Sequence, residues 1–146
     1  MSYKLPFYAV IILLSGMTIG KAGLTNRYVV KNNAGATAPY DSLANAAGDI
    51  QTAINFAYAG ETVLVAAATY DTGGAVVPGR YVTNRVYISK AITVRSIDND
   101  PERTIIKGAW DPITTNGWLA VRCVRMVAGS TLIGFTLTNG ATVSSN

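Results

Sequence analysis

Short stretches of alternating apolar and β-branched residues recur along this chain at intervals of a few tens of residues. Residues 130–140 (STLIGFTLTNG) alternate Ile133, Phe135 and Leu137 with smaller or polar side chains and end in a Thr-Asn-Gly turn. About forty residues earlier, residues 91–97 (AITVRSI) alternate in the same way, and residues 62–65 form an earlier β-branched run. Strands that recur without a helix between the later ones are typical of folds in which each repeat stacks on the previous one. The sequence therefore predicts stacked β coils.

The first 22 residues have the organisation of a secretory signal peptide. Lys4 supplies a positive charge, residues 5–14 form an apolar run, and Gly20 and Ala22 are small residues placed as before a cleavage site. An uncleaved membrane anchor is the alternative, but the apolar run is shorter than the roughly 20 residues of a bilayer span and contains Pro6. We therefore expect cleavage after Ala22, no membrane span afterwards, and a protein that is secreted or displayed at the cell surface.

The charge of the mature chain is small. The full sequence carries 12 Lys and Arg against 8 Asp and Glu, a net charge of +4. Removal of residues 1–22 takes away Lys4 and Lys21 and no acid, which leaves 10 cations against 8 acids and a net charge of +2. These cations are spread along the sequence, whereas a nucleic-acid-binding protein concentrates them in a patch or stripe. The pattern favours a mixed, solvated surface, and we expect no nucleic-acid partner.

The cysteine and histidine counts exclude several classes of protein. A single cysteine, Cys123, cannot form an intrachain disulfide, so this is not a small scaffold held together by such bridges. The sequence contains no histidine, which removes Ser-His-Asp hydrolysis, His-ligated zinc and histidine acid–base catalysis. Cys123 lies in a strand-like run, and we expect it to be a buried apolar residue rather than a nucleophile.

One helix is predicted near residues 47–58, between a strand at 26–31 with its loop and the later strands. Ala47, Ile50, Ala53, Ile54 and Ala57 share one face, with the start at residue 46 or 49 and Gly60 placed as the left-handed residue beyond the end. Further strands are expected at 62–65, 85–89, 92–96, 104–107, 121–126 and 130–137. Residues 71–79 and 110–118 are expected to be loops that leave the coil, and residues 98–102 an acidic turn.

Several of these segments resemble a known family. Residues 49–54 (DIQTAI), 60–65 (GETVLV) and Tyr70 are similar to the opening of secreted right-handed parallel β-helix proteins of the pectin-lyase-like superfamily. Residues 83–86, 92–96, 104–108, 120–124 and 132–140 resemble a largely uncharacterised bacterial branch of it. The resemblance implies an all-β solenoid whose N-terminal end is covered by an amphipathic capping helix. Its Ile, Val and Leu side chains would face inward and its Thr, Ser and Arg side chains outward.

The resemblance also implies a division of the chain. Residues 1–22 are the signal peptide, residues 23–60 the first strand, loop and capping helix, and residues 61–146 the first coils of the β-helix. A solenoid is expected to have a terminal cap, and nothing in the last residues resembles one. We therefore expect the β-helix to be incomplete at residue 146 and the chain to be the front of a longer or truncated protein.

No catalytic residue or cofactor is carried over from the family. Its lyases use a Ca²⁺-binding carboxylate cluster with an Arg or Lys base, and its hydrolases use paired aspartates, on middle coils that this chain does not contain. Ca²⁺ is therefore expected only through coils that are not present here. The nearest acidic cluster, residues 98–102, lacks the glycine of a Ca²⁺ loop and is interpreted as a solvated turn.

Four residues are candidate contacts to an extracellular polysaccharide. Trp110 and Trp118 lie in a loop where their rings could stack on sugars, although a tryptophan that folds back over the coil is the commoner arrangement. Arg95 and Arg122 could reach an anionic sugar, although exposed strand arginines more often only keep a sheet soluble.

Two functions remain open, and the sequence does not decide whether the protein is an enzyme. The first is polysaccharide binding or processing by a secreted β-helix. The second is a noncatalytic surface or adhesin-type solenoid whose repeats supply length. A compact β-sandwich is a third possible fold, but it requires two-residue hairpin turns that the sequence lacks.

Overall fold

The computed structural model describes residues 23–143 and is built mostly from short strands. The predicted signal peptide and its cleavage site therefore lie outside the described residues. The elements of the described part are β1 (Asn26–Val29), α1 (Ile50–Phe56), β2 (Thr62–Val65), β3 (Ala68–Tyr70), β4 (Ala75–Val76), β5 (Thr83–Ile88), β6 (Thr93–Ser96), β7 (Thr104–Lys107), β8 (Val121–Met126), β9 (Thr131–Ile133) and β10 (Thr136–Thr138). The prediction of a β-rich chain with one helix is confirmed.

The strands form three sheets in which almost every neighbouring pair is parallel. Their orders are β1-β2-β6-β9, β3-β7-β10 and β4-β5-β8, and only the β4–β5 pair is antiparallel among the described residues. Thr62 pairs with Thr93, and Thr93 pairs with Thr131, so equivalent residues are 31 and then 38 positions apart. The chain passes from the first sheet to the second and the third, returns to the first, and repeats this order.

The core lies between the three sheets. Val63 and Val65 in β2, Val94 in β6, Ile106 in β7 and Ile88 in β5 are all fully buried. Because neighbouring strands are parallel and in register, Val63 lies beside Val94, and Val94 lies beside Leu132 in β9. Alternating residues of short strands thus build columns of apolar side chains that cross from one strand to the next.

The predicted strand at residues 130–137 is not a single strand. Gly134 has φ +77°, and it breaks the segment into β9 and β10, which belong to two different sheets. A Cβ added to Gly134 would lie 3.1 Å from the Cβ of Ser96, so the glycine allows both the left-handed backbone and the close packing of this corner. The apparent alternation of Ile133, Phe135 and Leu137 is therefore interrupted and does not define one face.

The helix is shorter than its apolar pattern predicted. Asp49 is the N-cap, as one of the two predicted starts required, and its carboxylate accepts a hydrogen bond from the Thr52 N–H at 2.8 Å. The helix ends at Phe56, and its C-cap, Ala57, is extended. Gly60 does have a positive φ of +86°, but it lies in the turn before β2 and not directly after the helix, so its predicted role was wrong.

The buried face of α1 packs against the first strands, and its polar face extends the hydrogen bonding of the third sheet. Ile50, Ala53 and Ile54 are buried, and the helix contacts β1, β2 and β5. Gln51 Nε2 donates to the Tyr87 carbonyl at 3.1 Å, and the Tyr87 N–H donates to Gln51 Oε1 at 2.8 Å. The side-chain amide thus pairs with β5 as the backbone of a neighbouring strand would.

The same end of the other two sheets is also covered. The Tyr28 N–H of β1 donates to the Tyr40 carbonyl, and the Tyr28 carbonyl accepts from the Ala47 N–H. In the second sheet, Lys31 Nζ donates to the Thr69 carbonyl of β3 at 2.6 Å. Backbone groups on the outer edges of β1 and β3 therefore already have hydrogen-bond partners within the protein. This reduces the number of unpaired groups that a strand of another chain could bind.

A buried ion pair lies beside the helix. Arg27 donates to both carboxylate oxygens of Glu61, at 2.6 and 3.0 Å, and the two side chains are 8% and 7% exposed. The Tyr58 N–H also donates to Glu61, and the guanidinium carbon of Arg27 lies 5.0 Å from the centre of the Phe56 ring. The expectation that arginine faces outward was wrong here, because a bidentate carboxylate partner compensates the burial of the charge.

Two small polar side chains are also buried, against the expectation that Ser and Thr face outward. Ser96 ends β6 and Thr104 begins β7, and their hydroxyls are 2.9 Å apart in a fully buried position. The two hydroxyls form a hydrogen bond with each other where the chain passes from β6 of the first sheet to β7 of the second. Cys123, which we expected to be buried, is only partly buried, and its Sγ donates to the Thr138 carbonyl.

Candidate functional site

A groove of about 800 Å³ lies along the third sheet at the end where β5 and β8 begin. The strands contribute Asn84, Arg122 and Arg125, the loops before β5 and β8 contribute most of the remaining walls, and Val143 enters from beyond β10. The lining residues are Val77, Gly79, Arg80, Tyr81, Val82, Asn84, Trp118, Arg122, Arg125 and Val143. Its size is within the range of sites that bind small molecules or a few units of a polymer.

The register of β5 and β8 brings the two loops together. Thr83 begins β5 and pairs with Val121, which begins β8, so the loops that precede these strands are neighbours. Tyr81 and Trp118 meet there with ring centroids 6.3 Å apart and an interplanar angle of 80°. Both rings are largely exposed, at 82% and 71%. Two aromatic residues 37 positions apart in the sequence therefore form one aromatic wall.

The first loop is held by a short strand that the sequence did not predict. Residues 71–79 were expected to be a loop, but β4 pairs antiparallel with β5, with Ala75 opposite Asn84 and Val76 opposite Thr83. The chain then turns at residues 77–80, where the Arg80 N–H donates to the Val77 carbonyl. This pairing fixes the position from which Arg80 and Tyr81 enter the groove.

The second loop is organised by Asp111. Its carboxylate accepts the backbone N–H groups of Ile113, Thr114 and Leu119 at 2.9 to 3.1 Å. These hydrogen bonds, that from Leu119 first, lower the pKa of Asp111 below its ordinary value. A Cβ on Gly117 would overlap the Thr114 hydroxyl and the Asp111 carboxylate, so glycine is needed for this close approach. Trp118 is thus presented by a loop with a fixed backbone.

Three arginines make the groove positive. Arg80, Arg122 and Arg125 all line it, and none of them forms an ion pair with the residues at positions 23–143. Arg122 donates through Nε and Nη2 to the Thr142 hydroxyl, at 2.9 and 2.6 Å, which orients its guanidinium. No Asp or Glu is among the lining residues that the structure describes. The groove is therefore suited to an anionic group.

Asn84 is a buried polar residue in the wall of the groove. It is 1% exposed, and its Nδ2 donates to the carbonyls of Ala75 and Val82 at 3.2 and 3.4 Å. Its Oδ1 is enclosed and accepts no hydrogen bond from residues 23–143. The side chain therefore links β5 to the chain on either side of it, and its Nδ2 holds this part of the groove wall in place.

Two of the four predicted carbohydrate contacts lie in the groove. Trp118 and Arg122 line it, whereas Trp110 lies in the same loop but does not, and Arg95 lies in β6 of the first sheet. Sequence reasoning missed Arg80, Tyr81, Asn84 and Arg125. Tyr81 could have been found by the criterion applied to the tryptophans, because it is an aromatic residue in a loop rich in Gly and Pro.

The described acidic residues do not form a metal site. No group of three or more Cys, Asp or Glu side chains within residues 23–143 lies close enough together to hold an ion. In the turn at 98–102, Asp100 Oδ1 accepts the Glu102 N–H, and Asp98 lies 3.7 Å from Arg103. The Asp98 and Asp100 carboxylates thus contact groups of the turn itself, and the acidic residues of this turn do not form a metal-binding group.

The comparisons with protein-family models, with curated proteins and with solved structures found no match for this chain. Within the described residues, no helix is both long and apolar enough to cross a membrane.

Proposed function

We propose that this chain belongs to a secreted right-handed parallel β-helix protein of the pectin-lyase-like superfamily and contains its N-terminal cap and first coils. The proposal is supported by the repeated passage of the chain through three sheets of mostly parallel strands. It is also supported by the helix that covers one end of the first and third sheets. Both features match what the resemblance in residues 49–70 implies.

The function that the groove supports best is binding of an extracellular polysaccharide that carries anionic groups. The observation that carries this proposal is the meeting of Tyr81 and Trp118 beside three arginines without acidic partners among the described residues. Aromatic faces stack on sugar rings, and guanidinium groups bind carboxylate or sulfate groups. The lining residues that the structure describes include no paired carboxylates, and we propose binding without assigning a reaction.

We expect Trp118→Ala and Tyr81→Ala each to weaken polysaccharide binding about ten-fold, because each removes one of the two exposed rings of the groove. The binding partners to test are polygalacturonate, a sulfated glycan and a neutral glucan, by isothermal titration calorimetry and affinity electrophoresis. Trp110→Ala is the matched control, since it removes an exposed tryptophan from the same loop but outside the groove. It should leave the affinity unchanged.

Arg122→Gln should reduce the affinity for the anionic glycans and weaken their preference over the neutral one, since Arg80 and Arg125 remain in the groove. Failure to bind any of the three glycans would contradict the proposed function. It would favour the alternative of a noncatalytic surface or adhesin-type solenoid.

The predicted signal peptide leads to a separate prediction about secretion. Expression of the full sequence in a bacterial host should yield a product whose first residue is Gly23, because Ala22 ends the predicted signal peptide. Mass spectrometry of the secreted protein provides the measurement. Recovery of the product in the membrane fraction with Met1 retained would contradict secretion.

A further inference from the structure

A cluster of large apolar side chains is exposed on one short loop. Residues 109–121, here called the apolar loop, join β7 to β8. Trp110, Ile113, Trp118 and Leu119 are 59%, 87%, 71% and 65% exposed. Exposed apolar groups gathered in one place mark a site of interaction more often than scattered ones do. Only Trp118 lines the groove, so polysaccharide binding does not account for the other three.

The backbone of the apolar loop is already hydrogen-bonded within itself. Ala109 and Val121 close its base through two hydrogen bonds of 3.0 and 2.8 Å, and Asp111 and Thr115 form a second pair inside it. The N–H groups that have a partner in the loop are those of Ala109, Asp111, Ile113, Thr114, Thr115, Asn116, Leu119, Ala120 and Val121. Entry of this loop into the hydrated headgroup region of a bilayer would therefore leave few backbone donors unpaired.

The charge around the loop is positive. Trp118 is next to Arg80, Arg122 and Arg125 along the groove, and none of the three has an acidic partner among residues 23–143. The one carboxylate inside the loop, that of Asp111, is 8% exposed and is surrounded by three backbone N–H groups. Cations beside an exposed apolar loop attract it to a surface of anionic lipids.

We propose that the apolar loop inserts into the interfacial region of an anionic lipid bilayer and so holds the protein on a membrane surface. Ile113 and Leu119 have no aromatic ring to stack on a sugar. Ile113 is 87% exposed, so nearly all of its side chain is available to contact lipid. Tryptophan is favoured at the boundary between lipid headgroups and acyl chains. Binding of this kind needs no membrane-spanning helix. It shares Trp118 and the three arginines with the groove, whereas Ile113 and Leu119 belong to the apolar loop alone.

The test uses the secreted protein beginning at Gly23 and vesicles of phosphatidylcholine with or without phosphatidylglycerol. Co-sedimentation should show binding to the vesicles that contain phosphatidylglycerol, weakening as salt is raised, and tryptophan emission should shift to shorter wavelength. The double variant Ile113→Ser, Leu119→Ser should lose at least about ten-fold in vesicle affinity. Leu43→Ser is the matched control, because Leu43 is an exposed leucine outside the loop and should not matter.

Circular dichroism of each variant establishes that it is folded, and polysaccharide affinity provides a second readout that the double variant should leave unchanged. Arg80→Gln combined with Arg125→Gln should weaken the preference for phosphatidylglycerol, since only Arg122 of the three arginines remains. Absence of vesicle binding by the folded parent would overturn the proposal. So would a concentration-dependent dimer that the double variant disrupts, because the occupant of the loop would then be a second copy of the chain.

Discussion

Replacement of Ile54 by aspartate is expected to unfold the N-terminal part of the protein or the whole of it. Ile54 is fully buried between α1 and the strands that the helix covers, and its neighbours in the core are apolar. An unpaired carboxylate there would have to be protonated or to break the packing, at a cost of about 4 kcal/mol or more. That is a large part of the roughly 5–15 kcal/mol by which domains are stable. Thermal and urea denaturation followed by circular dichroism provide the measurement.

Asn55→Asp is the matched control for this variant. It introduces the same side chain into the same helix one residue later, at an exposed position, and it keeps the oxygen that accepts from Gln51 Nε2. Lys90 Nζ, which donates to the carbonyls of Ile54, Asn55 and Ala57, provides a nearby positive charge. The control should therefore melt with the parent protein. If Ile54→Asp does so too, then the helix does not stabilise the fold.

Glu61→Gln is expected to destabilise the protein by roughly 3 kcal/mol, the lower end of the range for breaking a buried ion pair. Glutamine keeps the shape of the side chain and can still accept the Tyr58 N–H, but it leaves the guanidinium of Arg27 buried without a counter-charge. Asp98→Asn is the control, because its contact with Arg103 is 3.7 Å long and both side chains are largely exposed. Denaturation at neutral pH should show a clear loss for the first variant and almost none for the second.

The same ion pair predicts how stability depends on pH. The hydrogen bonds from Arg27 lower the pKa of Glu61 below its ordinary value of 4.5. A carboxyl whose pKa is lower in the folded state stabilises the fold above the unfolded pKa and loses that contribution as the pH falls through the folded pKa. The difference in stability between the parent and Glu61→Gln should therefore be full above about pH 5 and shrink at more acid pH. A difference that stays constant down to pH 2 would contradict the role of the ionised pair.

The sequence predicted the strands and the buried face of the helix well, because both depend on local apolar periodicity. Ile50, Ala53 and Ile54 are buried as their spacing required, and the strand at 104–107 has the predicted bounds. The corner at Gly134 was missed because a glycine inside an alternating pattern does not disclose whether the chain bends there. The burial of Arg27 was missed because its partner, Glu61, is 34 residues away and only the pairing of β1 with β2 brings them together.

The groove was only partly predictable for the same reason. Trp118 and Arg122 were chosen by residue type, which needs no knowledge of the fold. Their convergence with Tyr81 depends on the pairing of Thr83 with Val121, and no local pattern specifies that register. Asn84 could not be identified from the sequence, since its place in the groove wall depends on the pairing of β5 with β4 and β8.

The side-chain amide of Gln51 makes the two sides of β5 different in the hydrogen bonds that they can offer to another strand. It occupies the N–H and the carbonyl of Tyr87 on the side of β5 that faces the helix. These two backbone groups are therefore not available to another strand. On the opposite side, the described residues place no strand beyond β8, β9 or β10. A further strand, from whichever chain it comes, would find unpaired backbone groups on the outer sides of β8, β9 and β10, whereas Gln51 already occupies those of Tyr87 on the side of the helix.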